Sequence, residues 1–406
     1  MVRLSATEAV SRDLDVCLLT TGFPRFKGDL FGSFVFELAR GLHRQGLRVG
    51  VLAPHDRGAA AREEVDGILV RRFRYFLPSW QRLAYGGGMP TNLRESWGAR
   101  LQVPFFLVAF WLRALGMARR SRVLHCQWTI SGLVGYLVSL LIRRPVILTV
   151  RGSDFHLSKS GLGAMVNRFV YRRMASVLAV SEDLARQIGS VGVSPQRLHV
   201  VSNGVDERFH PADRGMARSE LGVPAAEVMV LFVGLLVPVK GLDHLFDALQ
   251  LLHDLPLTCV LVGDGPLRAD LESRLAGSEL EGRVVFAGRR SATEIPKWMA
   301  AADVLVLPSL SEGRPNVVLE AQACALPVVA TAVGGTPELV EDGVHGLLVP
   351  PGDSNALAGS LRRLVSDEDL RRRLGASARQ RIDSGGHTWD ATALRTRQIY
   401  DGVLAE

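Results

Sequence analysis

The sequence predicts an α/β protein built from two doubly wound parallel-sheet domains, with a ligand cleft where they face each other. Three observations lead there. Short β-branched or leucine-rich runs recur along the chain, many of them closed by Gly, Ser or Asp. Each run is followed by a longer stretch with helical spacing, the pattern of parallel strands joined by crossover helices. The runs also fall into two series, separated by a polar, proline-containing segment over residues 204–224.

The first series comprises DVCLLT (15–20), LRVGVLAP (47–54), ILVRRF (68–73), RVLHCQ (122–127), PVILTV (145–150), SVLAVS (176–181) and LHVVSNG (198–204). The second comprises MVLFVG (229–234), TCVLVGDG (258–265), RVVFAG (283–288), DVLVLPS (303–309), PVVAT (327–331) and HGLLVP (345–350). Beyond Asp353 the chain reads as helix rich in arginine, followed by a last helix from Trp389 to Val403. Domains over 1–205 and 206–388 follow, with residues 389–406 as a closing helix. In open sheets of this kind ligands bind beyond the carboxyl ends of the strands, so chemistry is expected there.

Composition narrows the function. The 406 residues are 47% hydrophobic and 22% charged, enough for two cores and too apolar for disorder. Cys17, Cys126, Cys259 and Cys324 lack any C-x-x-C spacing and read as buried free thiols in a reducing compartment. The first 15 residues lack an apolar signal-peptide core, which makes a cytoplasmic location the expectation. The longest uncharged apolar stretches, 103–112 and 129–142, are shorter than a bilayer span. Residues 1–200 hold 28 Lys and Arg against 13 Asp and Glu, while residues 201–406 hold 20 against 28. Six arginines and no acid lie between Leu101 and Val150, so the first half suits anionic headgroups or an acidic acceptor; solvated arginines at the ends of core helices fit the same residues.

Several strand ends carry candidate chemistry. In Ser309-Leu-Ser-Glu-Gly-Arg-Pro-Asn-Val-Val-Leu-Glu320 a turn with Glu312 and Gly313 precedes a helix opened by Pro315, Asn316 and Val317. Free amides at such a start suit a diphosphate. Carboxylates at Glu312 and Glu320 would repel phosphate, so hydroxyls of a sugar and a ribose are their natural partners. A tight turn with acids favoured by the helix dipole accounts for the segment equally well. Gly234 ends a strand, with Lys240 six residues on, one of only four lysines in the chain and a plausible phosphate cation. Gly263 and Gly334-Gly335 mark two further strand ends where backbone can approach a ligand.

In the first half Gly28 and Gly32 frame a loop after the first strand, with Ser33 as helix cap. No G-x-G-x-x-G occurs there, which disfavours a dinucleotide dehydrogenase. His125 and the pair Arg151 and Asp154 stand at the ends of later strands; a core histidine and a local salt bridge are the plain alternatives. No metal-ligand spacing and no G-x-S-x-G is present.

Taken in order, these pieces resemble retaining, nucleotide-sugar-dependent glycosyltransferases of family four. The resemblance rests on the Gly28–Gly32 loop, VSNGVD (201–206), GLLVPVKG, LVGDGP, the E-x7-E motif of Glu312 and Glu320, and GGTPELVEDGVHGLLVPPGD (334–353). It implies the GT-B fold, two facing Rossmann-like domains with an interdomain cleft. It further implies a nucleotide diphosphate sugar as donor substrate and no separate cofactor or metal. Glu320 would hold the ribose, Glu312 the transferred sugar, and Lys240 with the Pro315–Val317 amides the diphosphate; Gly32 would let its loop touch the β-phosphate. The acceptor, a saccharide or lipid-linked saccharide of the cell envelope, would meet the basic first half near His125 and Asp154, with a peripheral contact to anionic membrane and no nucleic acid.

Two residues depart from the pattern. Leu235 stands where the family usually has arginine, and Arg151 where it has the histidine of H-G-x-D. One expectation links them, with Arg151 supplying the missing positive charge as a catalytic residue beside Lys240 and Glu312. The other is a donor-binding or membrane-associated scaffold with weakened turnover, and an epimerase or phosphorylase of the same fold is a third reading.

Overall fold

A computed structural model describes residues 13–29, 31–86, 88–152, 161–224 and 227–405. The chain divides into two compact units. The N-terminal domain takes residues 1–180, 185–201 and 389–406; the C-terminal domain takes 181–184 and 202–388.

The N-terminal sheet contains β1 (Leu14–Leu19), β2 (Val49–Pro54), β3 (Arg62–Val65), β4 (Ile68–Phe73), β5 (Ser121–Gln127), β6 (Val146–Val150), β7 (Ser176–Ala179) and β8 (Leu198–Val200). Their order across the sheet is β3-β4-β2-β1-β5-β6-β7-β8. All pairs are parallel except β3 with β4. β3 has no counterpart among the expected strands: Arg62-Glu-Glu-Val65 is polar, sits at the sheet edge, and turns back through Asp66 (φ 50) and Gly67 (φ 76), the geometry of a two-residue hairpin.

The C-terminal sheet contains β9 (Val228–Val233), β10 (Leu257–Val262), β11 (Val284–Gly288), β12 (Val304–Leu307), β13 (Val328–Thr331) and β14 (Gly346–Val349), in the order β11-β10-β9-β12-β13-β14 and all parallel. Buried apolar clusters cover this sheet, one built around Phe232, Phe246 and Leu261, another around Leu231, Trp298 and Leu319. Strand order reverses between β1 and β5 in the first sheet and between β9 and β12 in the second. These reversals are the switch points at which doubly wound sheets bind ligands.

Right-handed crossovers put helices on both faces of the N-terminal sheet. Helix Ser33–Arg44 and the last helix, Trp389–Ala405, pack together; a Cβ on Gly41 would lie 2.8 Å from that of Ala393. Trp389, Ala393 and Tyr400 are buried in one cluster with Val35, Leu38 and Leu42. Helices Trp97–Ala118, Thr129–Ile142 and Gly161–Tyr171 lie side by side and connect strands that progress the other way along the sheet. The first is much longer than the stretch 103–112 suggested, because Arg100 and Arg113 reach solvent without ending it and Pro104 is accommodated within it. Ser33 is not the cap of its helix. Gly32 holds that position with φ 71, where Ser would be strained, and Ser33 is the first helical residue. All four cysteines are buried and free.

Candidate active site

The C-terminal switch point brings two of the expected residues together. β9 ends at Val233, and Lys240 closes a short helical turn, Pro238–Lys240. β12 ends at Leu307, and Glu312 lies five residues beyond. The loops after these two adjacent strands are zipped to each other: the Leu310 amide donates to the Val239 carbonyl at 2.8 Å, and a Cβ on Gly241 would come 2.2 Å from the Pro308 carbonyl oxygen. Lys240 Nζ therefore donates to Glu312 Oε1 at 2.5 Å. Ser309 Oγ donates to the same oxygen at 2.6 Å. Glu312 Oε2 carries no such bond among the described residues and can accept from a hydroxyl.

The turn after β13 supports this loop from behind. Thr331 Oγ1 donates to the Ser309 carbonyl, and the Gly335 amide to that of Gly313 at 3.0 Å. Gly334, at φ 53, lets the backbone pass so close that a Cβ would lie 1.9 Å from the Glu312 carbonyl oxygen. Gly263 packs as closely against Gly234 one strand over: a Cβ on Gly263 would lie 1.8 Å from the Gly234 carbonyl oxygen. At Gly263 the lack of a side chain is required by backbone meeting backbone, whereas a Cβ on Gly234 would meet only the Phe232 ring, at 3.2 Å, and the Lys240 side chain.

After Glu312 the chain enters helix Asn316–Ala323. Asn316 and Val317 present first-turn amides that have no intrahelical acceptor. Pro315 is the helix cap and has no N–H, so it shapes the start and donates nothing; that corrects its expected part as an amide donor. Asn203 Nδ2 donates to Asn316 Oδ1 at 2.8 Å, which anchors the helix start to the VSNGVD segment. Glu320, one turn on, keeps one face open but is desolvated enough that burial pushes its carboxyl up to about 7; Arg208 opposes this shift and Asp206 adds to it.

The Glu320 shift has a sign that stability can test. A carboxyl whose folded pKa lies above its unfolded value near 4.5 favours folding below that value, and the contribution is lost as pH rises through about 7. Glu320→Gln is therefore expected to raise the melting temperature more at pH 8 than at pH 5, by about 3–6 °C in a chain of this size. Equal shifts at the two pH values would show that burial does not hold the proton there.

The N-terminal candidates are placed differently. A Cβ on Gly32 would lie 2.5 Å from the Gly22 carbonyl oxygen, so the glycine closes its own loop. Arg151 follows β6; its Nε and Nη2 donate to Gln127 Oε1 at 3.0 and 2.8 Å, and its guanidinium stacks 4.0 Å from the Phe34 ring centroid. His125 is a core residue and not an open acceptor contact. Its ring is fully buried, with Nδ1 2.5 Å from Tyr400 OH and Nε2 2.7 Å from Thr149 Oγ1, and burial lowers its pKa to about 3. Because Gln127 Oε1 faces Arg151, its amide nitrogen faces His125 Nε2 at 3.2 Å, which makes Nε2 an acceptor and leaves the proton on Nδ1. Asp154 lies outside the described residues. No group of three or more metal-ligating side chains occurs among the described residues.

Ser309 and Asn203 were not singled out from sequence as site residues. Ser309 lies three residues before Glu312 at a strand end, the spacing of a turn, and that was its one available signal.

Two doubly wound parallel sheets with charged and amide groups collected at a switch point define a GT-B type protein, and the comparisons carry this to a family. Residues 32–204 match the model described as glycosyl transferase 4-like domain, and residues 213–381 the model of glycosyl transferases group 1. A D-inositol 3-phosphate glycosyltransferase of Corynebacterium glutamicum is 32% identical over 75% of this chain and 78% of its own length. An uncharacterized glycosyltransferase of Methanocaldococcus jannaschii is 31% identical over 67% of this chain and 72% of its own. Among solved structures, sucrose-phosphate synthase from Thermosynechococcus elongatus superposes with a TM-score of 0.82 at 24% identity, over 96% of this chain and 99% of that one. Anabaena HepE, solved in complex with UDP-glucose, gives 0.75 at 23% identity, over 96% and 100%. The chain belongs to glycosyltransferase family four, with the GT-B fold.

Proposed function

We propose that this glycosyltransferase moves a hexose from a nucleotide diphosphate sugar to a saccharide or lipid-linked acceptor of the cell envelope, with retention of configuration and without a metal ion, at the cytoplasmic face of a bacterial membrane. The observation that carries the reading is the Lys240–Glu312 pair at the β9/β12 switch point. HepE, solved with UDP-glucose, supports a nucleotide sugar as donor, and the relative named D-inositol 3-phosphate glycosyltransferase supports transfer of a sugar to a hydroxyl-bearing acceptor.

In this reading Glu320 accepts from the ribose hydroxyls, and Glu312 from the hydroxyls of the sugar. The diphosphate takes the Asn316 and Val317 amides and draws Lys240 away from Glu312. The bond between the anomeric carbon and the phosphate oxygen breaks with both electrons passing to that oxygen. The acceptor hydroxyl bonds to the same face of the carbon, and its proton goes to the departing phosphate. Lys240 stabilises the phosphate more as its charge grows, and this difference lowers the barrier.

Arg151, oriented by Gln127, is assigned the positive charge that Leu235 cannot give; the Leu235 side chain is more than half exposed at the β9 end. Arg151→Ala is expected to lower kcat at least about tenfold with donor KM nearly unchanged, and Arg151→Lys to recover part of the loss. A variant with wild-type kcat would remove Arg151 from the mechanism.

The whole reading is tested by incubating the protein with a panel of UDP, GDP and ADP sugars and following release of the nucleoside diphosphate, with the product anomer read by NMR and with EDTA present. Turnover with retention supports it. A thermal shift by nucleotide with no turnover supports instead the binding scaffold, the alternative that Leu235 and Arg151 motivate.

A further inference from the structure

On the side of β4 that faces helix Trp97–Ala118, Leu69 and Phe73 bracket Arg71, since alternate residues of a strand share a face. Phe73 packs there against Phe106 and Phe110, with ring centroids 5.2 and 4.7 Å away. Leu52 of β2 is the cross-strand neighbour of Arg71 on one side, and Arg62 of β3 on the other. A guanidinium among apolar groups is out of place, and a second one directly opposite it in the sheet is destabilising. No acid answers Arg71. Its buried Nε has no hydrogen-bond acceptor, and it forms no ion pair among the described residues. Burial, and then Arg62 and Arg120, hold its pKa below the ordinary value.

Arg71 opens into a cavity of about 260 Å³ between the sheet edge and the last turns of that helix, whose walls also carry Arg62, Arg74 and Arg113. Met117 bounds it where the helix ends, seated over β2 because Gly50 has no Cβ; one there would lie 2.9 Å from Met117 Cε. Arg72 borders the cavity too, but its guanidinium is taken up by Glu63 and by the Ala60 and Pro24 carbonyls. Glu64, the acid on the Arg62 face of β3, is exposed opposite Leu69 and forms no ion pair among the described residues. Arg62, Arg71, Arg74 and Arg113 therefore meet around one space without a paired counter-charge among the described residues. The space runs along the flank of the sheet, beside Leu52 and Arg71 within their strands, and not beyond the strand ends where sugar transfer is placed.

We propose that this cavity is a binding site for a soluble diphosphate, held by Arg62, Arg71, Arg74 and Arg113 and clamping the edge hairpin β3–β4 to helix Trp97–Ala118. Guanidinium groups pair bidentately with phosphate oxygens, and Arg71 Nε adds a donor that solvent does not reach. Several such groups around one space exceed what a single phosphate neutralises. The volume is that of roughly nine waters at about 30 Å³ each, which matches the size of a pyrophosphate ion. The donor's diphosphate is assigned to Asn316, Val317 and Lys240 in the other domain, so the cavity stands or falls without the transferase reading.

The test is calorimetric titration of the full chain with inorganic pyrophosphate, in saturating UDP so that a donor diphosphate site is already filled. One saturable site is expected, and Arg71→Gln and Arg113→Gln should each weaken it about tenfold or more. Hydrogen exchange locates it, since pyrophosphate should slow the amides of Arg62–Val65 at the sheet edge. Without pyrophosphate, Arg71→Leu should melt above the wild type, because an unpaired charge has left a buried place, and pyrophosphate should no longer raise its melting temperature. Glycerol 3-phosphate, the headgroup fragment of a phospholipid, should bind at least about tenfold more weakly than pyrophosphate. An unchanged melting shift with UDP shows that the variants are folded. Loss of pyrophosphate binding in the presence of UDP, undiminished binding by Arg71→Gln, or an equal response to sulfate at matched ionic strength overturns the site. So does an Arg71→Leu protein less stable than the wild type, or tighter binding of glycerol 3-phosphate, which would make the ligand a lipid.

Discussion

Replacing Lys240 by alanine is expected to lower kcat for sugar transfer by about 10²–10³-fold while moving donor KM much less. The asymmetry follows from where the amine spends its interaction. Before donor arrives it is bound to Glu312 at 2.5 Å, so much of what a phosphate offers it replaces a partner it already has. Only as the glycosidic bond stretches does the phosphate gain charge that Glu312 did not carry. Lys240→Arg keeps a positive charge in a broader, planar head and should recover part of the rate. Steady-state kinetics with hydrolysis of the donor as readout checks this, and a loss confined to KM would show that Lys240 binds donor without acting on the departing group.

The second large effect is expected from a residue with no functional group. Gly334→Ala adds one methyl group at φ 53, where its carbon would fall 1.9 Å from the Glu312 carbonyl oxygen. The left-handed backbone alone costs about 1 kcal/mol, and the overlap can be relieved only by moving the loop that carries Glu312. Activity is expected to fall more than tenfold and the melting temperature to drop by several degrees. Gly343→Ala is the matching control, since it has a similar φ of 74 and open space around the new methyl. It should lose some stability and keep its rate. If Gly334→Ala turned over normally, the position of Glu312 would not matter to the reaction.

The strands of both sheets are legible in sequence because parallel strands buried on two faces are short continuous apolar runs closed by turn residues, whereas the longer apolar runs 103–112 and 129–142 are helices. β3 is the exception, for Arg62-Glu-Glu-Val65 lies at an edge and pairs through its backbone while its side chains meet solvent. Its sequence signal was the turn at Asp66-Gly67, not hydrophobicity. At the site, Lys240 and Glu312 stood out because lysine is rare here and because both follow strand ends; that they touch depends on Gly241 and Gly334, whose packing partners lie about 70 and 20 residues away in sequence. His125 shows the converse limit. A histidine in a strand has two faces to choose from, and its choice of Thr149 and Tyr400 is made by segments that sequence spacing does not connect.

The bond between His125 and Tyr400 also sets an order of events during synthesis. The core of the first domain to leave the ribosome lacks Trp389, Ala393 and Tyr400 until the final helix has been translated, after every residue of the second domain. The early-made sheet must wait, with Val35, Leu38 and Leu42 uncovered, while its neighbour becomes complete. The last helix therefore completes a core whose first members precede it by almost the whole length of the chain.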